Sequence, residues 1–316
     1  MSHDPGHSAH SHGGGAHGHD LRRLLEALLA GDLGLDDAVQ KLRLLQVTQL
    51  GEFARLDTNR DLRKGVPEVI YAPRKRDEDL EMIVRHFLAD RGLALVSRLE
   101  PARAAKLRAA LTGAAAPGAC REPTVGVDLL AGANPAGDAE LDAGAESMPA
   151  AGPVADLTFE YQRAAEVLAA TTPAYRPPEA GGCVGLLTAG TSDIPVAEEA
   201  ALVITHMGCR VERGYDTGVA GVHRLLEPLT RMIQSGVDVL VVAAGMEGAL
   251  PSVVAGLVDV PVIGVPTSTG YGLGGDGTAA LYSILQSCSP GLVAVNIDNG
   301  VGAGAAASLI ARRRRE

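Results

Sequence analysis

The chain has 316 residues, of which 46% are hydrophobic and 3% aromatic, and its formal net charge is -10. This length allows one sizeable core and a smaller domain, so we expect two domains. The acidic balance argues against nucleic acid as the main partner. No apolar run reaches the roughly 18 residues of a membrane span, and the first residues lack a basic region followed by an apolar one. These features predict a cytoplasmic protein without a membrane partner.

Six of the nine histidines lie within residues 1–20, among Gly, Ser and Ala. This composition predicts a disordered tail. Imidazoles at such density bind nickel or zinc loosely, so metal storage is one interpretation and a flexible tail with incidental affinity is the other. We expect no catalytic site there. The six residues are His3, His7, His10, His12, His17 and His19.

The four cysteines show no CxxC spacing, which indicates neither a disulfide framework nor a zinc knuckle. They are Cys120, Cys183, Cys209 and Cys288. Any functional cysteine is therefore expected to act alone.

Residues 21–112 carry the pattern of a small α+β domain. Helices are predicted near residues 21–30, 36–45, 77–91 and 101–111, with a strand over residues 93–97. A polar segment at residues 53–71 runs into another strand. Its arginines could bind phosphate, and a salt-bridged surface is the alternative.

Residues 113–155 are rich in Gly, Ala and Pro, which predicts a loosely ordered linker or insertion. A helix is then predicted over residues 159–170, at the start of a second domain that spans residues 156–316. We expect this helix to act as a hinge between the domains.

From Cys183 onward, apolar runs alternate with helical segments. Continuous apolar strands separated by helices are typical of a parallel sheet that is covered on both faces. The sequence therefore predicts an α/β fold with a doubly wound parallel sheet. The predicted strands span 183–188, 209–214, 237–243, 260–265 and 292–296, and the helices span 194–207, 222–235, 249–258 and 275–288.

The first of these strands runs into a turn with several helix-start signals. Gly190 allows a sharp turn, Ser192 and Asp193 are good N-cap residues, and Pro195 is tolerated in the first helical turn. Free backbone N–H groups at such a start can bind an anion. Ligands of open parallel sheets lie beyond the carboxyl ends of the strands, so we expect the loops there to form one Gly-rich rim. An ordinary strand-to-helix turn is the alternative.

Five segments of this predicted rim form a specific set: AGTSDIP at 189–195, GVAGVHR at 218–224, GMEGALPS at 245–252, PTS at 266–268 and NIDNG at 296–300. The set resembles the LarB family, the pyridinium-3,5-biscarboxylic acid mononucleotide synthases of nickel-pincer cofactor biosynthesis. The resemblance covers about residues 21–110 and 181–311. The C-terminal part is also similar to PurE, the aminoimidazole ribonucleotide carboxylase. This implies a PurE-like, flavodoxin-like three-layer domain and a homo-oligomer, with an octamer suggested by PurE.

The resemblance implies carboxylation of nicotinic acid adenine dinucleotide at ring carbon 5 and cleavage of its phosphoanhydride, which releases AMP. Carbon dioxide or bicarbonate would be the co-substrate and magnesium a cofactor, while no biotin motif is present. A pyridinium ring is too electron-poor to attack carbon dioxide. A thiolate that adds reversibly at ring carbon 4 makes carbon 5 nucleophilic.

Cys288 matches the family's adduct-forming cysteine. Its position alone indicates a buried cysteine at a helix end. Because a helix C-terminus does not stabilise a thiolate, we expect another donor or cation, which a neighbouring subunit could supply. Cys183 and Cys209 lie on predicted strands and are interpreted as core residues.

Acidic and basic groups of the rim have more than one interpretation. Asp193 or Asp298 could bind a ribose hydroxyl or magnesium. His223 or Glu247 could accept the proton from ring carbon 5. Both of the latter could instead only cap or pack against a helix.

Thr191 and Ser192 are expected to bind phosphate through hydroxyl and backbone N–H groups. Arginines are candidates for phosphate or for the nicotinate carboxylate, with salt bridges as the alternative. The arginines are Arg60, Arg63 and Arg224. The other predicted substrate-binding residues are Asp57, Asp216, Gly245, Met246, Gly248 and Ser268.

Two other functions are consistent with parts of the sequence. An aminoimidazole ribonucleotide carboxylase or mutase would use only the C-terminal fold, and it leaves the polar segment and Cys288 without a role. A nickel carrier or dinucleotide sensor would use the histidine tail. Deletion of residues 1–19 distinguishes the last alternative, because a carrier would lose its function and a synthase would keep it.

Overall fold

The computed structural model describes residues 26, 28–32, 34, 48–50, 54–56, 65–113 and 156–313. Several predicted features lie outside these residues: the histidine tail, the helix over 36–45, Cys120, the segment from 114 to 155, and the candidate residues Asp57, Arg60 and Arg63. Within the described part of the chain, no helix is long and apolar enough to cross a membrane.

The N-terminal unit is built on a mixed sheet. A hairpin of β1 (Thr48–Leu50) and β2 (Ala54–Leu56) comes first. It is followed by β3 (Val69–Tyr71), α1 (Asp77–Arg91), β4 (Leu93–Ser97), α2 (Pro101–Thr112), β5 (Thr158–Gln162) and β6 (Val167–Thr171). The sheet has the order β3-β4-β6-β5, and both helices pack into its core. The predicted helices over 77–91 and 101–111 and the strand over 93–97 are confirmed.

A β-hairpin occupies the residues for which the sequence predicts a helix, 159–170. β5 pairs with β6 along its whole length, and β6 also pairs with β4. The helix prediction is wrong because it follows local propensity, which is high in this Glu-, Gln- and Ala-rich segment, whereas tertiary packing decides the outcome. Leu168 and Ala170 lie buried in the N-terminal core. The hairpin therefore belongs to the N-terminal sheet, although residue 156 is the predicted start of the C-terminal domain.

The C-terminal unit is a five-stranded sheet whose ladders are all parallel. Its strands are β7 (Cys183–Thr188), β8 (Arg210–Gly214), β9 (Val239–Ala244), β10 (Val262–Pro266) and β11 (Leu292–Ala294). Its helices are α3 (Ile194–His206), α4 (His223–Gln234), α5 (Ala249–Ala255), α6 (Thr278–Leu285) and α7 (Gly300–Arg313). Because α3 and α7 cover one face and α4 and α5 the other, the doubly wound α/β class is confirmed.

The strand order of this sheet, β11-β10-β9-β7-β8, places the first strand of the unit next to β9. The winding direction reverses between β7 and β9, and such a switch point leaves a crevice at the carboxyl ends of the two strands. Every residue of β7 and of β9 is buried, as expected for strands that are covered on both faces. The fold therefore creates a crevice where the loops after β7 and β9 diverge.

The two units contact each other through apolar and polar groups. Val66 of the N-terminal unit packs with Val203 and Met207 of α3. Nearby, the hydroxyl of Tyr175 lies 3.2 Å from Nδ1 of His206. Burial raises the pKa of Tyr175 to about 12, so this group stays a neutral hydroxyl at physiological pH.

His206 is expected to make the stability of the fold depend on pH. Burial lowers the pKa of His206 from its ordinary value, against a smaller opposing effect of Glu160. The unfolded state therefore binds more protons than the folded state around and below pH ~6.5, and the free energy of unfolding falls as the pH falls through that value. We expect His206→Gln to flatten this decline. Urea denaturation at pH values on either side measures it, and an unchanged slope in the variant would contradict the expectation.

Candidate functional site

The crevice at the switch point contains a cavity of about 490 Å³. This volume lies within the range of about 300–1,000 Å³ that is typical of small-molecule sites. Loops that follow β7, β8, β9 and β10 form its walls. The predicted site residues that line it are Ser192, Asp193, Arg224, Gly245, Met246 and Glu247. Those that do not line it are Thr191, Asp216, His223, Gly248, Ser268, Asp298 and Cys288.

Asp193 joins two of the loops around the cavity, the one after β7 and the one after β10. Its carboxylate is only 3% exposed. Oδ1 accepts hydrogen bonds from the hydroxyls of Thr267 and Thr269 at 2.6 and 2.5 Å, and Oδ2 accepts one from the backbone N–H of Gly190 at 2.8 Å. The carboxylate is thus used to hold the two loops together. Thr191 and Ser192 of this turn are both exposed, and Ser192 lines the cavity.

Arg224 supplies a positive charge at the wall of the cavity. It lies at the start of α4 and donates a 2.6 Å hydrogen bond to Asp216, and both side chains are partly exposed. Asp216 therefore orients Arg224 from outside the cavity. The adjacent His223 is exposed and does not line the cavity.

The turn after β9 brings Glu247 to the cavity. Gly245 is needed there because a Cβ would overlap the carbonyl oxygen of Thr269. Met246 has a left-handed backbone with φ 52°, an unusual conformation for a residue with a side chain. Glu247 is exposed, and among the described residues its carboxylate forms no hydrogen bond or ion pair. It is therefore the carboxylate of this cavity that is free to act on a ligand.

Asp298 lies beside the cavity and supports its wall. Its carboxylate accepts hydrogen bonds from the backbone N–H and the hydroxyl of Ser268, at 2.8 and 2.5 Å. Ser268 lies between Thr267 and Thr269, which bind Asp193. Two carboxylates therefore hold consecutive residues of this loop.

The described residues do not fit the expected magnesium site. The sequence offers Asp193 or Asp298 as the ligand, and both carboxylates already accept hydrogen bonds from the protein. No group of three or more His, Cys, Asp or Glu side chains in the described part of the chain could hold a metal ion.

Cys288 lies at the opposite edge of the sheet from the cavity. It is exposed and comes between α6 and β11. Gly291, which shortly follows, accepts a 3.0 Å hydrogen bond from Val262 at the amino end of β10. Within one chain, Cys288 therefore does not reach the cavity. The exposed thiol also differs from the buried one that its position alone indicates.

Exposed apolar side chains flank Cys288 along the chain. Tyr282, Leu285 and Val293 are 64%, 65% and 54% exposed. Large apolar groups that are exposed together commonly mark a protein interface. The segment that carries Cys288 therefore exposes three large apolar side chains.

Tyr271 is a residue of the cavity that the sequence analysis missed. It lines the cavity and is 80% exposed. Gly270 and Gly272 flank it, both with positive φ. An aromatic residue between two glycines in the loop after β10 was the available signal.

Two family models match the chain: "AIR carboxylase" over residues 183–316 and "LarB/PurE-like N-terminal domain" over residues 47–121. An N5-carboxyaminoimidazole ribonucleotide mutase from Thermotoga maritima is 32% identical over 134 residues, which are 40% of this chain and 73% of that enzyme. The chain belongs to the AIR carboxylase family. The AIR carboxylase match begins at β7 and so contains all of the cavity.

Other proteins similar to this AIR carboxylase family member include one that matches both units. An uncharacterized protein from Methanocaldococcus jannaschii is 38% identical over 295 residues, which are 93% of this chain and 98% of that protein. A crystal structure of a Treponema denticola PurE2 variant is 18% identical, with a TM-score of 0.31 over 42% of this chain and 92% of that chain. The named relatives place the chain in a family of carboxylases and mutases.

Proposed function

We propose that the protein is a LarB-type synthase, which carboxylates nicotinic acid adenine dinucleotide at ring carbon 5 and hydrolyses its phosphoanhydride. The observation that carries this proposal is the joining of an AIR carboxylase domain to a LarB/PurE-like N-terminal domain in one chain. The two units are also in physical contact, through Arg98 and Glu199. A mutase that acted through the C-terminal unit alone would leave the N-terminal match unused.

The cavity supports binding of a phosphate next to a planar ring. Ser192 stands at the start of α3, where unpaired backbone N–H groups and the helix dipole favour an anion. Arg224 adds a guanidinium group on a neighbouring loop. Tyr271 offers an exposed aromatic face for the ring. A mononucleotide half of the dinucleotide would occupy the cavity.

Carboxylation needs a temporary electron donor to the pyridinium ring. The thiolate of Cys288 would form a carbon–sulfur bond at ring carbon 4, and the ring nitrogen would take the displaced electron pair. The resulting enamine would form the new bond from carbon 5 to carbon dioxide. Loss of the carbon 5 proton to a base and expulsion of the thiolate would restore the aromatic ring.

Glu247 is the better candidate for the base. It lines the cavity, whereas His223, the alternative in the sequence, does not. A carboxylate without an internal hydrogen-bond partner can accept a proton without breaking the loop structure. Asp193 is unsuited to this task because its oxygen atoms hold three groups of the protein.

The position of Cys288 makes the proposal depend on a homo-oligomer. Since Cys288 lies at the edge opposite its own cavity, the thiol must enter the cavity of a neighbouring subunit. The exposed apolar side chains around it supply a surface for that contact. An octamer is the assembly that we propose.

The test is incubation of the purified protein with nicotinic acid adenine dinucleotide and ¹³C-labelled bicarbonate. We expect mass spectrometry to find the label in a dicarboxylated pyridinium mononucleotide, together with released AMP. A parallel reaction with aminoimidazole ribonucleotide is the control. Absence of label from the pyridine product would contradict the proposal.

The second candidate is an aminoimidazole ribonucleotide carboxylase or mutase. It is favoured by the named relatives, which carry that activity in their names. Turnover in the control reaction without turnover of the dinucleotide would establish this function instead.

A further inference from the structure

The loop at residues 267–269 is held from two sides. Asp193 binds the hydroxyls of Thr267 and Thr269, and Asp298 binds the backbone and hydroxyl of Ser268. The next residues along the chain, Gly270 and Tyr271, line the cavity. The position of this wall therefore depends on where Asp193 and Asp298 lie.

Arg98, a residue of the N-terminal unit, binds the turn that carries Asp298. Its Nη2 donates a 2.9 Å hydrogen bond to the carbonyl oxygen of Asp298, and its Nε lies 3.3 Å from Oε1 of Glu199 on α3. Glu199 is 5% exposed, and its carboxylate also accepts a hydrogen bond from the backbone N–H of Gly300, the first residue of α7. The guanidinium group of Arg98, which directly follows β4, thus links the N-terminal unit to α3 and to the Asp298 turn of the C-terminal unit.

The backbone around Arg98 is itself fixed within the N-terminal unit. Arg98 has a left-handed φ of 52°, which costs energy for a residue with a side chain unless its surroundings hold it. The backbone N–H of Leu99 donates to the carbonyl oxygen of Glu166 at 2.7 Å, and the hydroxyl of Tyr161 donates to the carbonyl oxygen of Leu99 at 2.7 Å. The β5–β6 hairpin therefore fixes the backbone of Leu99, the residue that follows Arg98.

A second contact leads from the same hairpin to α3. Gln162 donates a 2.7 Å hydrogen bond to Glu198, which is 5% exposed and also binds Arg213 and Tyr215. This bond holds the helix but reaches no residue of the 267–271 loop. Arg98 is thus the contact that continues toward the cavity.

We propose that Arg98 is a positioning residue through which the N-terminal unit holds the cavity wall at residues 267–271 in place. The path runs from Arg98 to the Asp298 turn, from Asp298 to Ser268, and from there to Tyr271. This rests on the contacts alone, and it assigns the N-terminal unit a part in shaping the site whatever the substrate is.

The test uses a single tryptophan in place of Tyr271. The chain contains no tryptophan, so Tyr271→Trp reports only on this wall, and its 80% exposure leaves room for the larger ring. In this background, without any ligand, we compare the fluorescence anisotropy and the acrylamide quenching of Arg98→Met with those of the parent. We expect lower anisotropy and stronger quenching, because the wall is no longer fixed.

Arg103→Met is the matched control. Arg103 binds Asp77 and the carbonyl oxygens of Ala72 and Lys75, all inside the N-terminal unit. Its loss removes three hydrogen bonds, one more than the loss of Arg98, without touching the path to the cavity. Equal fluorescence changes in the two variants, or no change in Arg98→Met, would overturn the proposal.

Removal of Arg98 leaves Glu199 buried without its partner, which could prevent folding. The double variant Arg98→Met/Glu199→Gln removes that charge. If the single variant does not fold, the double variant takes its place, and the same lower anisotropy and stronger quenching are expected. In Arg98→Lys, one ammonium group takes the place of the guanidinium group and cannot bind both partners in the same geometry. We therefore expect partial recovery of anisotropy.

A second measurement uses the protein that keeps Tyr271 and follows the turnover of nicotinic acid adenine dinucleotide. A displacement of about 1 Å near reacting groups can cost roughly 100-fold in rate. We expect Arg98→Met to lower kcat more than it raises KM, with Arg103→Met close to the parent. The fluorescence measurement needs no substrate. It therefore tests the role of Arg98 even if the protein does not catalyse the proposed reaction.

Discussion

Carboxylation of nicotinic acid adenine dinucleotide is expected to fall by about 10⁴-fold or more when Cys288 is replaced by alanine or serine, the scale of loss on removing an essential catalytic group. Serine keeps the shape, but its hydroxyl is almost wholly protonated near neutral pH and adds far less readily to the ring. Incorporation of labelled bicarbonate into the pyridine ring measures the loss. Substantial incorporation by Cys288→Ala would refute the covalent mechanism.

Cys183→Ser and Cys209→Ser are the controls for this prediction. Both cysteines are buried in the core of the C-terminal unit, and burial raises the pKa of Cys209, which disfavours its thiolate. The hydroxyl of a serine at position 183 or 209 lowers the free energy of unfolding, because burial of a hydroxyl among apolar groups costs free energy. We expect a lower stability with chemistry retained in the folded fraction.

A mixing experiment tests whether Cys288 acts on the neighbouring subunit. Cys288→Ala and Glu247→Gln are each expected to be inactive as pure proteins. When the two are co-expressed in one oligomer, some sites combine an intact Glu247 from one subunit with an intact Cys288 from another. We expect those sites to restore part of the activity. No restoration in verified mixed oligomers would show that the cysteine does not act in trans.

Asp193→Ala is expected to lower the free energy of unfolding by roughly 3 kcal/mol or more, since each buried polar group left unpaired costs about 1–3 kcal/mol. The groups that lose their partner are the hydroxyls of Thr267 and Thr269 and the backbone N–H of Gly190. Turnover falls as well, because the loops after β7 and β10 lose their common contact at the cavity. Urea denaturation and steady-state kinetics measure the two effects.

Ser192→Ala is the control for Asp193→Ala. Ser192 lines the same cavity from the adjacent position but is exposed. Its replacement is expected to change stability by no more than about 0.5 kcal/mol, as is usual for surface positions, while it weakens substrate binding. A stability loss as large as that of Asp193→Ala, or no stability loss in Asp193→Ala, would contradict this division of roles.

The fold of the C-terminal unit could be predicted because its strands are continuous apolar runs. Strands such as β9 are buried on both faces, and the sequence expresses this directly. The β5–β6 hairpin could not be predicted in the same way. Its residues favour a helix locally, and only the pairing of β6 with β4, far away in sequence, makes it a strand.

Parts of the candidate site could not be predicted from the sequence either. The turn at Asp193 was recognisable from its helix-start residues, but the sequence does not reveal that Thr267 and Thr269, some seventy residues later, use up its carboxylate. The place of Cys288 was accessible in principle. A residue just before a parallel strand lies at the amino edge of the sheet, and the order of α6 and β11 already implied that edge.

The pairing of β6 with β4 changes how the segment between residues 113 and 156 is understood. The strands on both sides of it belong to one sheet and one hydrophobic core, so the segment closes a loop within a folding unit. Severing the peptide chain there would leave two fragments held by a strand ladder and a shared core. A fragment that began at residue 156 would contain the β5–β6 hairpin without β4, the strand with which β6 pairs. The natural place to separate the units by proteolysis or by recombination is therefore the connection between β6 and β7.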